Sequence, residues 1–250
     1  MKWAIILVIT IVFTTFYTIA VKSKANTITR KIFHLFISIV YLIGLKNDIN
    51  FLSFSSASVL AVFIVIEVRL FKISFNYFQN TNQLILLQQI IRIRRIPPLS
   101  DGIESAFNLF RDEKDSGLLT LTHIYLLIGF SLPIWLSPSF RSENTLAMTS
   151  GLITLGFGDS AASIGGSLFG RHYWKNSKKT YEGTICAFLA QVIGSVSSLA
   201  YISPEITLNS YLIFMITFVS IITTLIEANI KQIDNLVLPL YHYILIKIFV

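Results

Sequence analysis

Long apolar runs separated by short polar segments recur along the whole chain. A helix of about 20 apolar residues crosses a hydrocarbon core of roughly 30 Å. Six runs come close to that length: 3–21, 51–68, 118–136, 145–168, 183–202 and 208–226. Two shorter runs, at 32–46 and 236–250, are counted as spans because the topology requires them. The pattern therefore predicts an all-α fold, a polytopic transmembrane bundle of about eight helices.

The first apolar run is interpreted as an uncleaved anchor and not as a signal peptide, because Lys22 and Lys24 follow it at once. We therefore divide the chain into an N-terminal anchor helix and loop, 1–28, and a membrane domain, 29–250. The composition agrees with a membrane protein, with 54% hydrophobic and 13% charged residues and a mean hydropathy of +0.69. The single cysteine, Cys186, excludes an intramolecular disulfide and a cysteine-based metal site.

The basic residues indicate an orientation in the membrane. If the N-terminus is non-cytoplasmic, the loops after spans 1, 3, 5 and 7 contain all of the 20 Lys and Arg residues except Lys2, Lys46, Arg141 and Lys247. Loops rich in Lys and Arg lie on the cytoplasmic side. The polar clusters of the chain fall in or beside these same loops, so the chemistry is expected to face the cytosol.

The one long connection, 69–117, mixes apolar positions with Gln, Asn and Arg before Pro97 and Pro98. This pattern predicts an interfacial amphipathic helix. Although the chain has a net charge of +7, Arg92, Arg94 and Arg95 lie beside membrane and no aromatic-basic stacking motif accompanies them. Contact with anionic lipid explains these arginines better than nucleic acid, which is not expected as a partner.

Two polar groups precede the spans that they open, and each has a structural alternative. Arg30 and His34 share a helix face with Lys31 beside them, and an anchoring role would explain the two cations but not His34. Asp112 and Asp115 stand just before span 4, where they could complement a helix dipole or, with a phosphate ligand, bind Mg²⁺.

A third group, in GDSAASIGGSLFG, places Asp159 among small residues inside an apolar run. Close helix packing explains Gly166 and Gly170 but not the acid, which is costly in hydrocarbon unless it lines a polar cavity or has a partner. The following loop supplies lysines, hydroxyls and backbone amides that suit a polyphosphate, although it is no Walker A loop. In a fourth group, the spacing predicts Glu227, Lys231 and Asp234 on one helical face. They could form an ion pair at a helix terminus, or an acid among them could serve as a ligand or base.

Together, TRKIFHL, FRDEKDSGLLTLTHIYLLIGFSLPIWL, GDSAASIGGSLFG, KKTYEGT and EANIKQIDNLVLPLY resemble the dolichol kinase family over about residues 29–250. The resemblance implies transfer of the γ-phosphate of CTP to dolichol, a polyprenol lipid, giving dolichyl phosphate. It also implies a divalent cation, with Mg²⁺ expected, and a multi-pass protein of the endoplasmic reticulum membrane. Residues 29–250 would then be a polyprenol kinase catalytic domain whose active site faces the cytosol.

The resemblance assigns GRHYWKNS and KKTYEGT to the CTP-binding segment. The candidate nucleotide-binding residues are Gly166, Gly170, Arg171, Lys175, Ser177, Lys178, Lys179, Thr180, Glu182, Gly183 and Thr184. We expect Lys178 and Lys179 on the phosphates and Arg30 and Lys31 on the transferring group. Asp159 is the expected metal ligand or base. The further catalytic candidates, which we do not rank, are His34, Asp112, Asp115, Glu227 and Asp234.

Other functions remain open at this point. Phytol kinases, CTP-dependent diacylglycerol kinases and phosphatidate cytidylyltransferases share mainly the GD and small-residue motif, and a transporter would also need intramembrane polar groups. A transporter predicts polar residues spread through the midplane, whereas here they concentrate on one face. The chain also departs from the family pattern, because only one apolar run precedes RKIFH. It therefore corresponds to a compact form or to the catalytic C-terminal half.

Overall fold

A computed structural model describes residues 27–78, 121–137, 144–175, 177–230 and 234–250. Side chains of residues 27–30, 32 and 66–78 are outside this description. Within the described ranges all the regular structure is helical, apart from one isolated bridge between Tyr173 and Thr180. The predicted all-α class is confirmed for this part of the chain. The predicted anchor segment up to residue 26 and the predicted amphipathic helix beyond residue 78 lie outside it, and residues 27 and 28 belong to the first described helix.

The helices follow the predicted apolar runs with some changes of boundary. In chain order they are α1 Thr27–Asn47, α2 Ile49–Phe78, α3 Thr122–Trp135, α4 Thr145–Met148, a π-helical segment Leu152–Asp159, α5 Ser160–Phe169, α6 Tyr181–Ile202, α7 Ser210–Asn229 and α8 Asp234–Phe249. Helix α2 continues ten residues past the end predicted for its run, into the stretch assigned to the long connection.

Two of these helices, α6 and α7, are long and apolar enough to cross a membrane by length and composition. Shorter apolar helices cover Phe33–Asn47, Ile49–Val65 and Thr122–Trp135. The chain is therefore a helical protein with candidate membrane spans, and the total of eight crossings stays a prediction. Many large side chains of α6 and α7 are exposed, among them Ile193, Phe214 and Leu225, as expected for helices that face lipid.

The predicted single span 145–168 is divided into α4, the π-helical segment and α5. A π-helix is rare and is often found at functional sites. Here it lies in the core, because Leu152, Ile153 and Leu155 are completely or almost completely buried and pack with Phe130 of α3. Three glycines, at 151, 156 and 158, let neighbouring helices approach this segment closely. The segment ends on Asp159, so the irregular backbone ends at the acid of this apolar run.

Candidate functional site

Asp159 forms the centre of a charged group between α1 and the end of the π-helical segment. Lys31 Nζ donates to Asp159 Oδ2, and His34 Nδ1 lies 3.4 Å from the same oxygen. Ser160 Oγ also donates to the carbonyl oxygen of Lys31, at 3.2 Å, which joins α5 to α1 at this level. The carboxylate therefore has the partner that its position in an apolar run requires.

The side chains of Lys31 and Asp159 are 16% and 18% exposed, so the pair is screened less than a surface pair but still reaches open space. Residues 31 and 34 are three apart on α1 and share one face of the helix. The sequence grouped Lys31 and His34 with Arg30, whose side chain lies outside the described part of the chain. For Lys31 and His34 the structure identifies the partner that the sequence could not, which is Asp159.

The loop between α5 and α6 is folded onto the first turn of α6 as a short hairpin. Tyr173 and Thr180 form an antiparallel bridge, with Trp174 N–H donating to Lys179 O at 3.0 Å and Tyr181 N–H donating to His172 O at 2.9 Å. The helix begins with an N-cap, because Thr180 Oγ1 accepts from Gly183 N–H at 3.1 Å. This cap holds the end of the KKTYEGT segment at the start of α6.

Lys179 connects that hairpin to α7. Its ammonium donates to the backbone carbonyl oxygen of Glu227, and its own N–H donates to Ser177 Oγ at 3.1 Å. Glu227 is only 5% exposed, and its Oε2 atom has no hydrogen-bond partner among the described residues. A buried carboxylate oxygen in that state is costly unless a ligand or water satisfies it.

A cavity of about 480 Å³ brings these elements together. Its charged lining consists of Lys31, Lys178, Lys179, Asp159 and Glu227. The small and hydroxyl-bearing lining residues are Ala162, Ser163, Gly166, Ser167, Thr180, Gly183, Thr184 and Ala228, and Tyr173 completes it. Cations, hydroxyls and carboxylates on one cavity suit an anionic ligand that carries or shares a metal ion.

Several candidates from the sequence lie next to the cavity without lining it. Glu182 accepts from His172 N–H at 3.3 Å and pairs with the His172 ring at 2.7 Å, so it braces the hairpin. Gly170 packs against Gly166 and Thr180 at the end of α5. Arg171 and Lys175 are exposed on the loop, and Ser177 contacts the backbone of Lys179.

The predicted helical face shared by Glu227, Lys231 and Asp234 is wrong. Helix α7 ends at Asn229 with an extended cap at Ile230, and Asp234 is the first residue of α8. Glu227 and Asp234 therefore belong to different helices. Lys231, Asp112 and Asp115 lie outside the described residues, so their predicted roles stay predictions.

Tyr173 and the serines at 163 and 167 were not predicted as site residues. Ser163 and Gly166 follow Asp159 by four and seven residues, so a helical count from Asp159 would have found this face. For Tyr173 the sequence provided only its place in the GRHYWKNS segment, because the hairpin alone sets the direction of its ring.

The residues present fit a divalent cation of the magnesium type. No group of three or more His, Cys, Asp or Glu side chains that could hold a metal by themselves occurs in the described part of the chain. Mg²⁺, however, is usually held by one or two carboxylates together with substrate phosphates. Asp159 and Glu227 both line the cavity, and Oε2 of Glu227 lacks a hydrogen-bond partner among the described residues. These two acids are the residues that would hold the ion.

The fold and the site together define a class: a helical membrane protein in which lysines and carboxylates share a cavity beside a glycine-rich helix contact. Comparison with known proteins narrows this class. The chain is 38% identical over 232 residues to the dolichol kinases of Mus musculus and Homo sapiens, which covers 90% of this chain and 39% of each relative. It is 32% identical to dolichol kinase EVAN of Arabidopsis thaliana over 98% of this chain.

The chain belongs to the dolichol kinase family. It spans about two fifths of the length of the curated relatives that it matches, 39% in each of these three. No family model matches the chain, and no solved structure matches it.

Proposed function

We propose that this chain carries the catalytic site of a dolichol kinase, which transfers the γ-phosphate of CTP to dolichol. The observation that carries the proposal is the convergence of the family-matched segments on one cavity. TRKIFHL contributes Lys31, GDSAASIGGSLFG contributes Asp159 and Gly166, KKTYEGT contributes the two lysines, and EANIKQIDNLVLPLY contributes Glu227. Segments far apart in the sequence thus supply one site with the charges that phosphoryl transfer needs.

The reaction requires positioning and charge stabilisation more than covalent chemistry by the protein. The alcohol oxygen of the lipid bonds to the γ-phosphorus, while the bond from that phosphorus to the oxygen bridging to the β-phosphate breaks. CDP leaves, and the alcohol proton passes to a base. Lys178 and Lys179 bind the phosphates in this proposal, and Lys31, assisted by Arg30, stabilises charge on the transferring group.

Asp159 and Glu227 are the acidic groups available for the remaining work. Asp159 is held by Lys31 and lies near His34, so its position is fixed before substrate binds. We assign Asp159 as the proton acceptor or metal-ion ligand and Glu227 as a second ligand. A bound divalent cation would neutralise phosphate charge and align the donor.

The proposed setting is the cytosolic face of the endoplasmic reticulum membrane. The lysines of the cavity belong to loops that the positive-inside rule assigns to the cytosol. Soluble CTP would then enter from the water, and the alcohol end of dolichol would arrive from the bilayer. The cavity lies at the start of α6 and the end of α7, which among the described helices are the two long and apolar enough to cross a membrane.

The test is a product assay on membranes containing the chain, with CTP labelled at the γ-phosphate and dolichol, phytol and diacylglycerol offered in parallel. We expect label in dolichyl phosphate. Label recovered as pyrophosphate, with CMP on a lipid phosphate, would identify a cytidylyltransferase, and preferential labelling of phytol or diacylglycerol would identify another lipid kinase. Membranes prepared without the chain serve as the control.

A further inference from the structure

Tyr173 is the large aromatic side chain of the cavity lining. It is 62% exposed, and within the described residues its ring takes part in no aromatic contact, hydrogen bond or cation–π contact. The aromatic residues next to it are engaged, because the Trp174 and Tyr181 rings stack with centroids 4.2 Å apart. The ring is therefore available to contact a ligand in the cavity that it lines.

The hairpin determines where this ring points. His172 pairs with Glu182, and Trp174 Nε1 donates to Thr184 Oγ1 at 3.0 Å, so both neighbours of Tyr173 are held against the first turn of α6. Tyr173 lies between them and lines the cavity, and its bridge with Thr180 fixes the backbone at that point. The ring is thereby presented to the cavity on a braced support.

The lining of the cavity indicates what such a ring could bind. Lys178 and Lys179 lie on the same hairpin and line the same cavity, so an anion bound by them would extend past Tyr173. A nucleotide has this shape, with phosphates at one end and a flat base at the other. Base–aromatic stacking is common, and it tolerates different bases because every base has a π-face. An aromatic residue at a membrane interface is the alternative role.

We propose that Tyr173 is the platform on which the pyrimidine ring of the nucleotide donor stacks. This inference rests on the proposed function and extends it, by assigning the base end of the nucleotide to the hairpin and the phosphate end to its two lysines. Because stacking does not read the hydrogen-bonding edge of the base, Tyr173 contributes affinity for the donor. It does not select cytosine over uracil.

The experiment compares Tyr173→Leu with Tyr173→Phe, which keeps the ring. Tyr211→Leu is the matched control, since Tyr211 is 61% exposed at the other end of α7 and lies outside the cavity lining. We expect Tyr173→Leu to raise the KM for CTP by about 5- to 150-fold, the range that corresponds to loss of one stacked base. The kcat and the KM for the lipid should change by less than about threefold, and Tyr173→Phe should resemble the parent.

A second measurement separates binding from turnover. The rise in thermal unfolding temperature produced by CTP alone should shrink in Tyr173→Leu and persist in Tyr173→Phe and Tyr211→Leu. Parental CTP affinity in Tyr173→Leu overturns the inference while leaving the proposed function intact. Reduced membrane insertion or stability of Tyr173→Leu without CTP overturns it in favour of an interfacial anchor. A parent chain that transfers no phosphate from CTP refutes the proposed function itself.

Discussion

A carboxylate at the end of an apolar run is either a structural partner or a chemical group, and Asp159 has the geometry for both. If the charge were removed, Lys31 would keep a hydrogen-bond acceptor but lose its counter-ion, and the cavity would lose one of the two carboxylates that line it. A neutral side chain of the same shape could fill the structural role but not the chemical one. An amide keeps the shape and much of the hydrogen bonding but cannot accept a proton or bind a metal ion strongly.

Asp159→Asn is therefore expected to lower turnover by two or more orders of magnitude, comparable to loss of a general base or a key electrostatic group. Expression and thermal stability should change little, because Lys31 can still donate to the amide oxygen. Activity and unfolding temperature measured on the same preparation check this. A variant with near-parental activity would make Asp159 structural and move the search for the catalytic acid to Glu227, Asp234, Asp112 and Asp115.

Lys179 lines the cavity, and its ammonium donates to the backbone carbonyl oxygen of Glu227. Lys179→Ala should raise the KM for CTP or abolish turnover while the protein stays inserted, because a phosphate-binding ammonium is lost without changing a span. The matched control is Lys46→Ala, since Lys46 lies over the Tyr201 ring away from the cavity. Parental kinetics for Lys179→Ala would remove the hairpin from the nucleotide site.

Single residues were predictable from sequence where their chemistry conflicts with their surroundings. Asp159 could be found because a carboxylate in an apolar run is unfavourable unless it has a partner or lines a polar cavity. Tyr173 was included only as part of the GRHYWKNS segment, because the sequence does not show where the hairpin places an aromatic ring of a polar loop. Glu227 was found as an acid, but its placement on a helix face with Asp234 failed, because the helical count continued across a break between α7 and α8.

At the scale of elements, the contact between α5 and α6 forms one wall of the cavity. A Cβ added at Gly183 would lie 2.7 Å from the backbone carbonyl oxygen of Ala162 and 3.0 Å from Thr180 Oγ1. The helices can approach this closely only because a hydrogen atom occupies that place. The contact positions Gly166, Thr180 and Gly183 on one cavity wall, so a shift here would move the N-cap of α6 and the loop behind it.

Gly183→Ala should consequently destabilise the protein by about 1–3 kcal/mol, although alanine is intrinsically the better helix former. Gly44→Ala is the comparison, because its new Cβ would meet the flexible end of Leu52, at 2.9 Å, and not a backbone. We expect it to cost less. Thermal unfolding in detergent measures both. Equal stability of the two variants would contradict the close packing of α5 on α6.

The apolar runs predicted the positions of the helices well. They did not predict the type of helix inside one of those runs. The predicted span 145–168 is helical throughout much of its length, yet its middle is π-helical. Apolar length reports that a segment is buried and helical, but it does not report the hydrogen-bond register of the backbone. That register depends on contacts from other helices, such as the approach of Gln191 to Gly158, which a single sequence does not reveal.

At the scale of the whole molecule, α6 supports a prediction of orientation. Its 22 residues span about 33 Å, enough to cross a hydrocarbon core. The hairpin that precedes α6 contains Lys175, Lys178 and Lys179, whereas the connection that follows it, 203–209, contains no Lys or Arg. The positive-inside rule thus assigns the two ends of one helix to opposite faces of the membrane, with the hairpin in the cytosol.

Cysteine labelling tests this assignment at both ends of α6. In a background where Cys186 is replaced by alanine, Ser177→Cys and Thr207→Cys each provide one thiol, and Thr207 is exposed in the connection after the helix. An impermeant maleimide should label Ser177→Cys only from the cytosolic side and Thr207→Cys only from the lumen. Labelling of both from one side would show that α6 does not cross, and the reverse pattern would place the cavity, and with it the CTP site, in the lumen.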